Sequence, residues 1–271
     1  HITKMISKCF EDANIRILSL GAGVQSSVMA LMAAKGELLP KPDHAIFADT
    51  GWEPKEVYEH LDWLNDKLNF PVHIVKRSDL KEDVLKGKNA TGQDYISVPF
   101  YTKEGGMGRR QCTSEYKLQP IRRKTRELLG LQTKEKSKGK FSETWIGIST
   151  DEIQRVKNSW DPYIKNRWPL LEKNMSRFDC LKWFQENYPN KKLSKSACIA
   201  CPYHHDNQWK DMKKNNKEAF EQAVQFDKQL RSIQKDQQLF VHRSCVPLDE
   251  AVFNNERQLS FLDECEGMCG L

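Results

Sequence analysis

Short apolar runs alternate with amphipathic segments along the first half of the chain. Each run is only a few residues long and ends in small or polar residues, which is typical of a strand buried in a sheet. The predicted strands span residues 15–20, 44–48, 72–75 and 143–149. Apolar residues at helical spacing predict helices over 24–35 and 53–68. Strands that alternate with helices favour an α/β fold, a three-layer α/β/α arrangement with a mostly parallel sheet.

The pattern changes in the last third of the chain. Helical spacing recurs over 177–187 and 217–236, and a loop with cysteines and histidines, 196–206, lies between these segments. We therefore predict two domains. Residues 1–165 are expected to hold the sheet, and residues 166–271 to form a helical subdomain that bears the cysteines.

The composition is that of a soluble globular protein, with 38% hydrophobic and 30% charged residues. Residues 17–34 form the longest uncharged stretch, but they include Ser19, Gly21, Gln25 and other polar or small residues that a bilayer would not accept. No basic stretch with a cleavage site for export is visible, so we expect a cytoplasmic protein without a membrane partner.

Positive charge is concentrated in one segment. The net charge is +6, whereas residues 117–140 alone hold nine lysines and arginines against two glutamates, a local balance of +7. A solvated helix and loop would explain such a run, and so would a polyanionic partner such as DNA or RNA bound through Lys117–Lys140. Because the segment follows Cys112, we expect it to lie near the mouth of the active site.

A glycine-rich turn follows the first predicted strand. Its sequence, residues 19–27, places Gly21 and Gly23 where backbone N–H groups can approach an anion, and Ser26 and Ser27 in the first turn of a helix. An ordinary strand–helix turn also needs small residues. The turn alone therefore leaves a phosphate site and a plain connection equally open.

Further segments resemble one superfamily. Residues 21–26 fall on the PP-loop of the N-type ATP pyrophosphatases, also called adenine nucleotide alpha hydrolases. Residues 49–51 (Asp-Thr-Gly) and 147–152 resemble the next strand ends of phosphoadenylylsulfate (PAPS) reductases. Residues 112–120 resemble their Cys-x4-Lys-x2-Pro segment. The chain is thus similar to the PAPS-reductase-like branch, which includes the ATPases of DNA phosphorothioation.

The resemblance implies a nucleotide site, with ATP and Mg²⁺ as the expected ligands. The predicted binding residues are Ser19, Gly21, Gly23, Gln25, Ser26, Ser27, Asp49, Thr50, Gly51, Lys117 and Gly147. Most PP-loops carry aspartate at the position of Gln25, and an amide cannot hold Mg²⁺ as a carboxylate does. Arg110, Asp151 and Cys269 are the predicted catalytic residues.

Eight cysteines in a chain without an export signal are expected to be thiols, metal ligands or catalytic groups. Cys198 and Cys201 have the C-x2-C spacing of metal ligands, and Cys265 and Cys269 form a C-x3-C pair. The resemblance favours a [4Fe–4S] cluster held by Cys112, Cys198, Cys201 and Cys265. Zn²⁺ held by the two cysteine pairs is the alternative, and a metal-free protein is the third hypothesis.

Three functions follow from these features. The first is activation of a substrate by adenylylation for sulfur transfer, with nucleic acid as the acceptor and a sulfur-donor protein as a partner. The second is reduction of a sulfonucleotide of the PAPS type, in which Cys269 attacks the sulfur. The third is a nucleotide-binding sensor or defence module without turnover, which Gln25 keeps open.

Overall fold

The computed structural model describes residues 9–89, 91–193, 195–234 and 237–254 of the chain. Its strands are β1 (Ile15–Ser19), β2 (His44–Asp49), β3 (Val72–Lys76), β4 (Tyr101–Thr102), β5 (Ser142–Trp145), β6 (Ile164–Arg167) and β7 (Leu239–Phe240). Five of them form one sheet in the order β3-β2-β1-β5-β6, and all neighbours in it are parallel. The strands β4 and β7 pair separately, in the antiparallel sense.

Helices precede or follow each of these strands. The α-helices of the described residues are α1 (Val24–Ala34), α2 (Lys55–Lys67), α3 (Leu80–Lys86), α4 (Gln119–Leu128), α5 (Pro169–Glu172), α6 (Arg177–Asn187), α7 (Asp206–Asn215) and α8 (Lys217–Leu230). A π-helical turn, Thr113–Leu118, leads into α4, and a 3₁₀ turn, Thr150–Arg155, follows β5.

Helices cover both faces of the sheet because successive strand residues point to opposite sides. Leu18 and Phe47 pack in one apolar cluster with residues of α1, α2 and α6. Their neighbours Ile17 and Ile46 pack in another cluster with Ile121 of α4. The prediction of a three-layer α/β/α fold with a parallel sheet is confirmed.

A second apolar core lies beside the sheet. Trp209 of α7 and Phe226 of α8 pack there with Trp52, Leu80 and Phe100 from the first half of the chain. The domain boundary after residue 165 stays a prediction, and β6 runs across it. Across the described ranges, no helix combines the length and the apolar character that a membrane span requires.

Candidate functional site

The site begins at the turn between β1 and α1. Ala22 has a left-handed conformation with φ of 57°, and Gly23 is the N-cap of α1. Ser26 Oγ accepts a hydrogen bond from the Gly21 N–H at 3.1 Å, which holds the two ends of the turn together. Within the described residues, no side-chain hydrogen bond caps the amino end of α1, and no acidic residue lies in its first turn. The first N–H groups of α1 and its dipole therefore favour a bound anion.

The side chain of Gln25 is buried and hydrogen-bonded at both of its polar atoms. Nε2 donates to Ser149 Oγ at 3.3 Å and to Glu152 Oε2 at 3.1 Å, while Oε1 accepts from Arg177 Nη1 at 2.9 Å. Glu152 is also ion-paired with Arg155. The amide thus joins the loop to α6 and to the turn that follows β5, residues 147–152, which is called here the third strand end. It also places the Glu152 carboxylate beside the position that is aspartate in most PP-loops.

Ser27 contacts the neighbouring helix. Its Oγ lies 2.9 Å from Nε2 of His60 in α2. Burial lowers the pKa of His60 to about 4, and the positive charge of Lys191 acts in the same direction. The imidazole is therefore neutral at pH 7, and the contact fixes Ser27 against α2.

The second strand end is a tight turn after β2. Asp49 Oδ1 accepts hydrogen bonds from the Gly51 N–H at 2.7 Å and from the Tyr58 hydroxyl at 2.8 Å. Burial, and then the bond to Asp49, raise the pKa of Tyr58, so its hydroxyl stays a donor. Gly51 has φ of 75°, and a Cβ on it would lie 2.6 Å from both Lys76 Nζ and Asp79 Oδ2. This turn therefore requires glycine.

Lys117 and Glu53 form a buried ion pair under the same turn. Lys117 Nζ lies 3.7 Å from Glu53 Oε1, and the Thr50 hydroxyl donates to that oxygen at 3.4 Å. Burial raises the pKa of Glu53, whereas the charge of Lys117 opposes that shift. The π-helical turn thus places Lys117 against the same Glu53 oxygen that Thr50 contacts. Two predicted nucleotide-binding residues are brought together in this way.

Three of the predicted metal ligands line one cavity. The cavity measures about 460 Å³, part of it open to solvent. Cys198 Sγ lies 3.5 Å from Thr50 Oγ1, and the Ile199 N–H donates to the carbonyl of Trp52 at 3.0 Å. The cysteine loop is therefore attached to the second strand end. The predicted site residues that line the cavity are Thr50, Arg110, Cys112, Lys117, Cys198 and Cys201.

The surroundings of Cys198 disfavour an uncompensated thiolate. Burial raises the pKa of its thiol well above the usual value, and the negative charge of Glu53 acts in the same direction. In the part of the chain that the structure describes, no three histidine, cysteine, aspartate or glutamate side chains are grouped so that they could hold a metal ion. The predicted ligands Cys265 and Cys269 lie outside the described residues.

The predicted catalytic residues fall in two places. The Arg110 guanidinium lies 5.0 Å from the ring centre of Tyr203, on the wall of the thiol cavity. Asp151 is exposed and accepts the backbone N–H of Arg177 at 2.9 Å, at the start of α6. Gly147 is buried just after β5. The catalytic roles of Arg110, Asp151 and Cys269 stay predictions.

Sequence comparison identifies the family. Residues 16–152, half of the chain, match the phosphoadenosine phosphosulfate reductase domain. The chain belongs to this family. The PAPS reductase domain spans the strands and turns that carry the loop, the Asp49–Gly51 turn and Glu152, and the predicted resemblance is confirmed.

Two similar proteins extend the comparison. An uncharacterized 37.8 kDa protein of Escherichia phage 186 is 36% identical over 70 residues, which are 26% of this chain and 20% of that protein. The match thus spans a fifth of its length. The U34-tRNA thiolase NcsA of Methanococcus maripaludis, solved with its [4Fe–4S] cluster, has a TM-score of 0.42 at 16% identity. That alignment covers 86% of this chain and 77% of NcsA, and so distant a likeness carries no argument about activity.

One expectation about the PAPS reductase domain is wrong. Residues 117–140 do not lie together at the mouth of the site, because α4 carries the chain away from it. Leu129 and Leu131 pack with Ile15 and Ile164, at the amino ends of β1 and β6. The site lies at the carboxyl ends of the strands, whereas the lysines of 134–140 lie on the side of their amino ends. Only the start of the segment reaches the site.

Several residues of the site were not predicted from the sequence. Four of them contact predicted residues, and the fifth, Arg155, is ion-paired with one of these four. They are Glu53, His60, Glu152 and Arg177, together with Arg155. Glu152 lies inside the segment 147–152 that resembles the family, and Arg155 lies three residues after it. That position is the signal from which both residues could be predicted. Arg177 lies in the segment 176–179, which also resembles the family, but the sequence does not show that its partner is Gln25.

Proposed function

We propose that this chain binds ATP at the loop 21–27 and activates a substrate by adenylylation for sulfur transfer, with nucleic acid as the acceptor. One observation carries the proposal. The anion-binding turn follows β1, and the thiol cavity is attached to the turn after the neighbouring strand β2. Phosphate-binding groups and sulfur chemistry are thus available at the same edge of one sheet.

The residues around the loop are suited to a nucleotide triphosphate. The first turn of α1 offers N–H donors, and Arg155 and Arg177 supply positive charge beside it. Gln25 holds no metal as a carboxylate would, but Glu152 lies 3.1 Å from its amide nitrogen and provides an oxygen donor for Mg²⁺. We assign Mg²⁺ coordination to Glu152 rather than to the loop itself.

The proposed chemistry has two displacements. An oxygen of the acceptor attacks the α-phosphorus of ATP, the bond to the bridging oxygen breaks, and pyrophosphate leaves. The sulfur of a hydrosulfide ion, supplied by a donor protein, then attacks the activated carbon of the acceptor, the carbon–oxygen bond breaks, and AMP leaves. Lys117 and Arg110, which line the thiol cavity, would stabilise the negative charge that develops in both steps.

The type of donor in the cavity, cysteine thiol, suits an iron–sulfur cluster, although among the described residues these thiols do not already form a group that could hold a metal ion. Cys112, Cys198 and Cys201 line the cavity, and Cys198 is buried where its thiolate needs a compensating cation. When bound, a cluster would offer an iron atom to the incoming sulfur. We propose Cys265 as the fourth ligand, and Zn²⁺ on the two cysteine pairs remains the alternative.

Two other functions compete with this proposal. Membership in the PAPS reductase domain family supports reduction of a sulfonucleotide, with Cys269 as the attacking thiol. Gln25 supports a nucleotide sensor, because an amide at this position leaves the loop itself without a carboxylate for Mg²⁺. Neither alternative uses the phosphate-binding turn and the three cavity thiols together for transfer of sulfur to an acceptor.

Product analysis under anaerobic conditions tests the proposal. The full chain is incubated with ATP, Mg²⁺, sulfide and RNA or DNA oligonucleotides, and in parallel with PAPS and a thiol reductant. AMP and pyrophosphate that depend on the oligonucleotide support adenylylation. Sulfite release from PAPS would establish the reductase instead, and tight ATP binding without either product would establish the sensor.

A loop variant and a metal assay accompany these reactions. Gly23→Val places a side chain at the buried N-cap, where φ of −85° strains no residue, and should abolish ATP binding. Thermal unfolding of the variant separates this effect from misfolding. Equal ATP binding by Gly23→Val and the wild type would contradict the assignment of the loop. Separately, an absorption spectrum with iron, sulfide and zinc analysis distinguishes the iron–sulfur cluster from zinc.

A further inference from the structure

A second cavity opens at the carboxyl ends of β5 and β6, beside the third strand end. It measures about 400 Å³, part of it open to solvent. Ile146, Ile148 and Trp168 belong to one apolar cluster and form its floor. The 3₁₀ turn and the chain that follows it form the rim, with Arg155 and Trp160 at the two ends. The proposed nucleotide chemistry uses this rim only at Arg155.

An exposed aromatic ring stands at the rim. Trp160 has 89% of its surface in solvent, the largest fraction among the large apolar residues that the structure describes as exposed. An isolated tryptophan in this position gains nothing from the fold, whereas a flat ring beside a cavity is suited to stacking with a nucleobase. The ring therefore needs an external partner to be buried.

Positive charge surrounds the same cavity. Arg122 and Arg155 line it and are ion-paired with Asp161 and Glu152, respectively, while the exposed Lys157 adds a further cation. The local balance is therefore positive. A polyanion that passes the rim would meet Lys157 first, and the two arginines reinforce its attraction.

The cavity wall also presents an acceptor and a donor. The Asn166 amide is oriented by the bond from its Nδ2 to the carbonyl of Lys157 at 2.8 Å. Among the described residues, neither Asn166 Oδ1 nor Trp168 Nε1 has a hydrogen-bond partner, although both atoms are buried. A base that enters the cavity could satisfy this acceptor and this donor with its own polar edge.

We propose that this cavity is the acceptor subsite, in which Trp160 stacks with an unpaired base of single-stranded nucleic acid and Lys157 contacts the adjacent phosphate. The proposal rests on the proposed function and gives its acceptor a position. A single strand fits because its bases are free to stack. The subsite adjoins Glu152 and Arg155 beside the nucleotide loop, at the carboxyl ends of the strands. The lysines of 134–140 lie on the side of the amino ends.

Binding of a fluorescent single-stranded oligonucleotide to the full chain tests the subsite. Trp160→Ala should weaken binding of RNA or DNA at least tenfold, since the loss of one stacked base has an effect of that order. Trp160→Phe should keep binding within about threefold because it keeps a ring. Lys157→Ala should reduce the slope of log Kd against log salt by about 0.7, the value for one phosphate on a single strand.

Matched variants and a second ligand complete the design. Ile74→Ala removes another exposed apolar side chain, on the edge strand β3 at the far side of the sheet from β5 and β6, and should change nothing. ATP affinity, measured separately, should be the same in Trp160→Ala and in the wild type. A parallel loss of ATP affinity would assign the cavity to the mononucleotide and overturn the proposal.

The remaining outcomes separate the subsite from the proposed function. If the wild type binds oligonucleotides and Trp160→Ala binds them equally well, the subsite is wrong and a nucleic-acid acceptor stands. If the wild type binds none at low salt, both the subsite and the nucleic-acid acceptor fail, while adenylylation of another acceptor is judged by the products formed from ATP.

Discussion

Arg177 Nη1 donates a hydrogen bond to Gln25 Oε1 at 2.9 Å and so joins the nucleotide loop to the first turn of α6. The start of α6 is itself well fixed. Ser176 and Asp179 form a reciprocal capping box, and Asp151 accepts the Arg177 N–H. The loop, the third strand end and α6 therefore meet at the Gln25 amide. An anion bound in the loop would lie close to the Arg177 guanidinium that holds this amide.

Arg177→Gln should weaken ATP binding about tenfold, because it removes a positive charge and a charge-assisted hydrogen bond beside the phosphates. Isothermal titration calorimetry measures the effect. Lys182→Gln is the matched control, since it removes an exposed cation from the same helix. Equal ATP affinity in Arg177→Gln and the wild type would show that the guanidinium serves only to position Gln25.

Lys117→Met should destabilise the protein by about 3–5 kcal/mol at pH 8, because it leaves the Glu53 carboxylate buried without its cation. Burial already raises the pKa of Glu53, and loss of Lys117 raises it further. A group with a raised folded-state pKa protonates more readily in the folded protein, so its folded form loses stability as the pH rises. Denaturant unfolding should therefore show a smaller penalty at pH 5 than at pH 8.

The double variant Lys117→Met, Glu53→Gln checks this reading of the pair. Removal of both charges leaves no unpaired ion, so most of the stability at pH 8 should return. A double variant that is as unstable as Lys117→Met would mean that packing of the lysine chain, rather than the charge of Glu53, sets the penalty.

Cys112→Ser, Cys198→Ser and Cys201→Ser should each lose the bound metal, since each removes one thiol from the same cavity. Iron, sulfide and zinc contents of anaerobically purified protein measure the loss. Cys112→Ser discriminates between the hypotheses, because a zinc site on the two cysteine pairs does not need Cys112. Cys9→Ser should keep the full metal content, and retention in all three cavity variants would contradict the metal site.

Local patterns were sufficient for the elements with strong periodicity. The strands β1 to β3 and the helices α1 and α2 lie where the apolar spacing predicts them. The strand β6 was not predicted because Ile164–Arg167 reads as polar, and its pairing with β5 supplies the stability that its side chains lack. A solvated helix was one explanation of the basic segment, but the bounds of α4 were not predicted, since its sequence, residues 119–128, is mostly charged and polar.

The site could be predicted only where a motif carried it. The loop and the turn after β2 were predicted from the family resemblance and the Cys-x2-Cys pair from its spacing, and the structure places Cys112, Cys198 and Cys201 in the lining of one cavity. The helix partners, among them His60, were not found, because they depend on how helices pack. The misplaced basic segment has the same origin, since proximity to Cys112 in sequence said nothing about the direction of α4.

His60 gives the protein an acid-sensitive contact at the loop. Burial lowers its folded-state pKa to about 4, whereas an unfolded histidine titrates near 6.5. Between these values the unfolded chain binds more protons, so the contribution to stability is complete above about pH 6.5 and falls as the pH drops toward 4. The loss should reach about 2 kcal/mol at pH 5.

His60→Gln keeps a side chain that can hydrogen-bond to Ser27 but does not titrate, so it should lose less stability than the wild type between pH 7.5 and pH 5. Urea unfolding at both pH values measures the difference, which should be close to 2 kcal/mol. Burial also lowers the pKa of His73 on β3, but this side chain is partly exposed, so His73→Gln should reduce the acid sensitivity less than His60→Gln does. If His60→Gln and the wild type lose the same stability on acidification, the imidazole is not buried in its neutral form against Ser27.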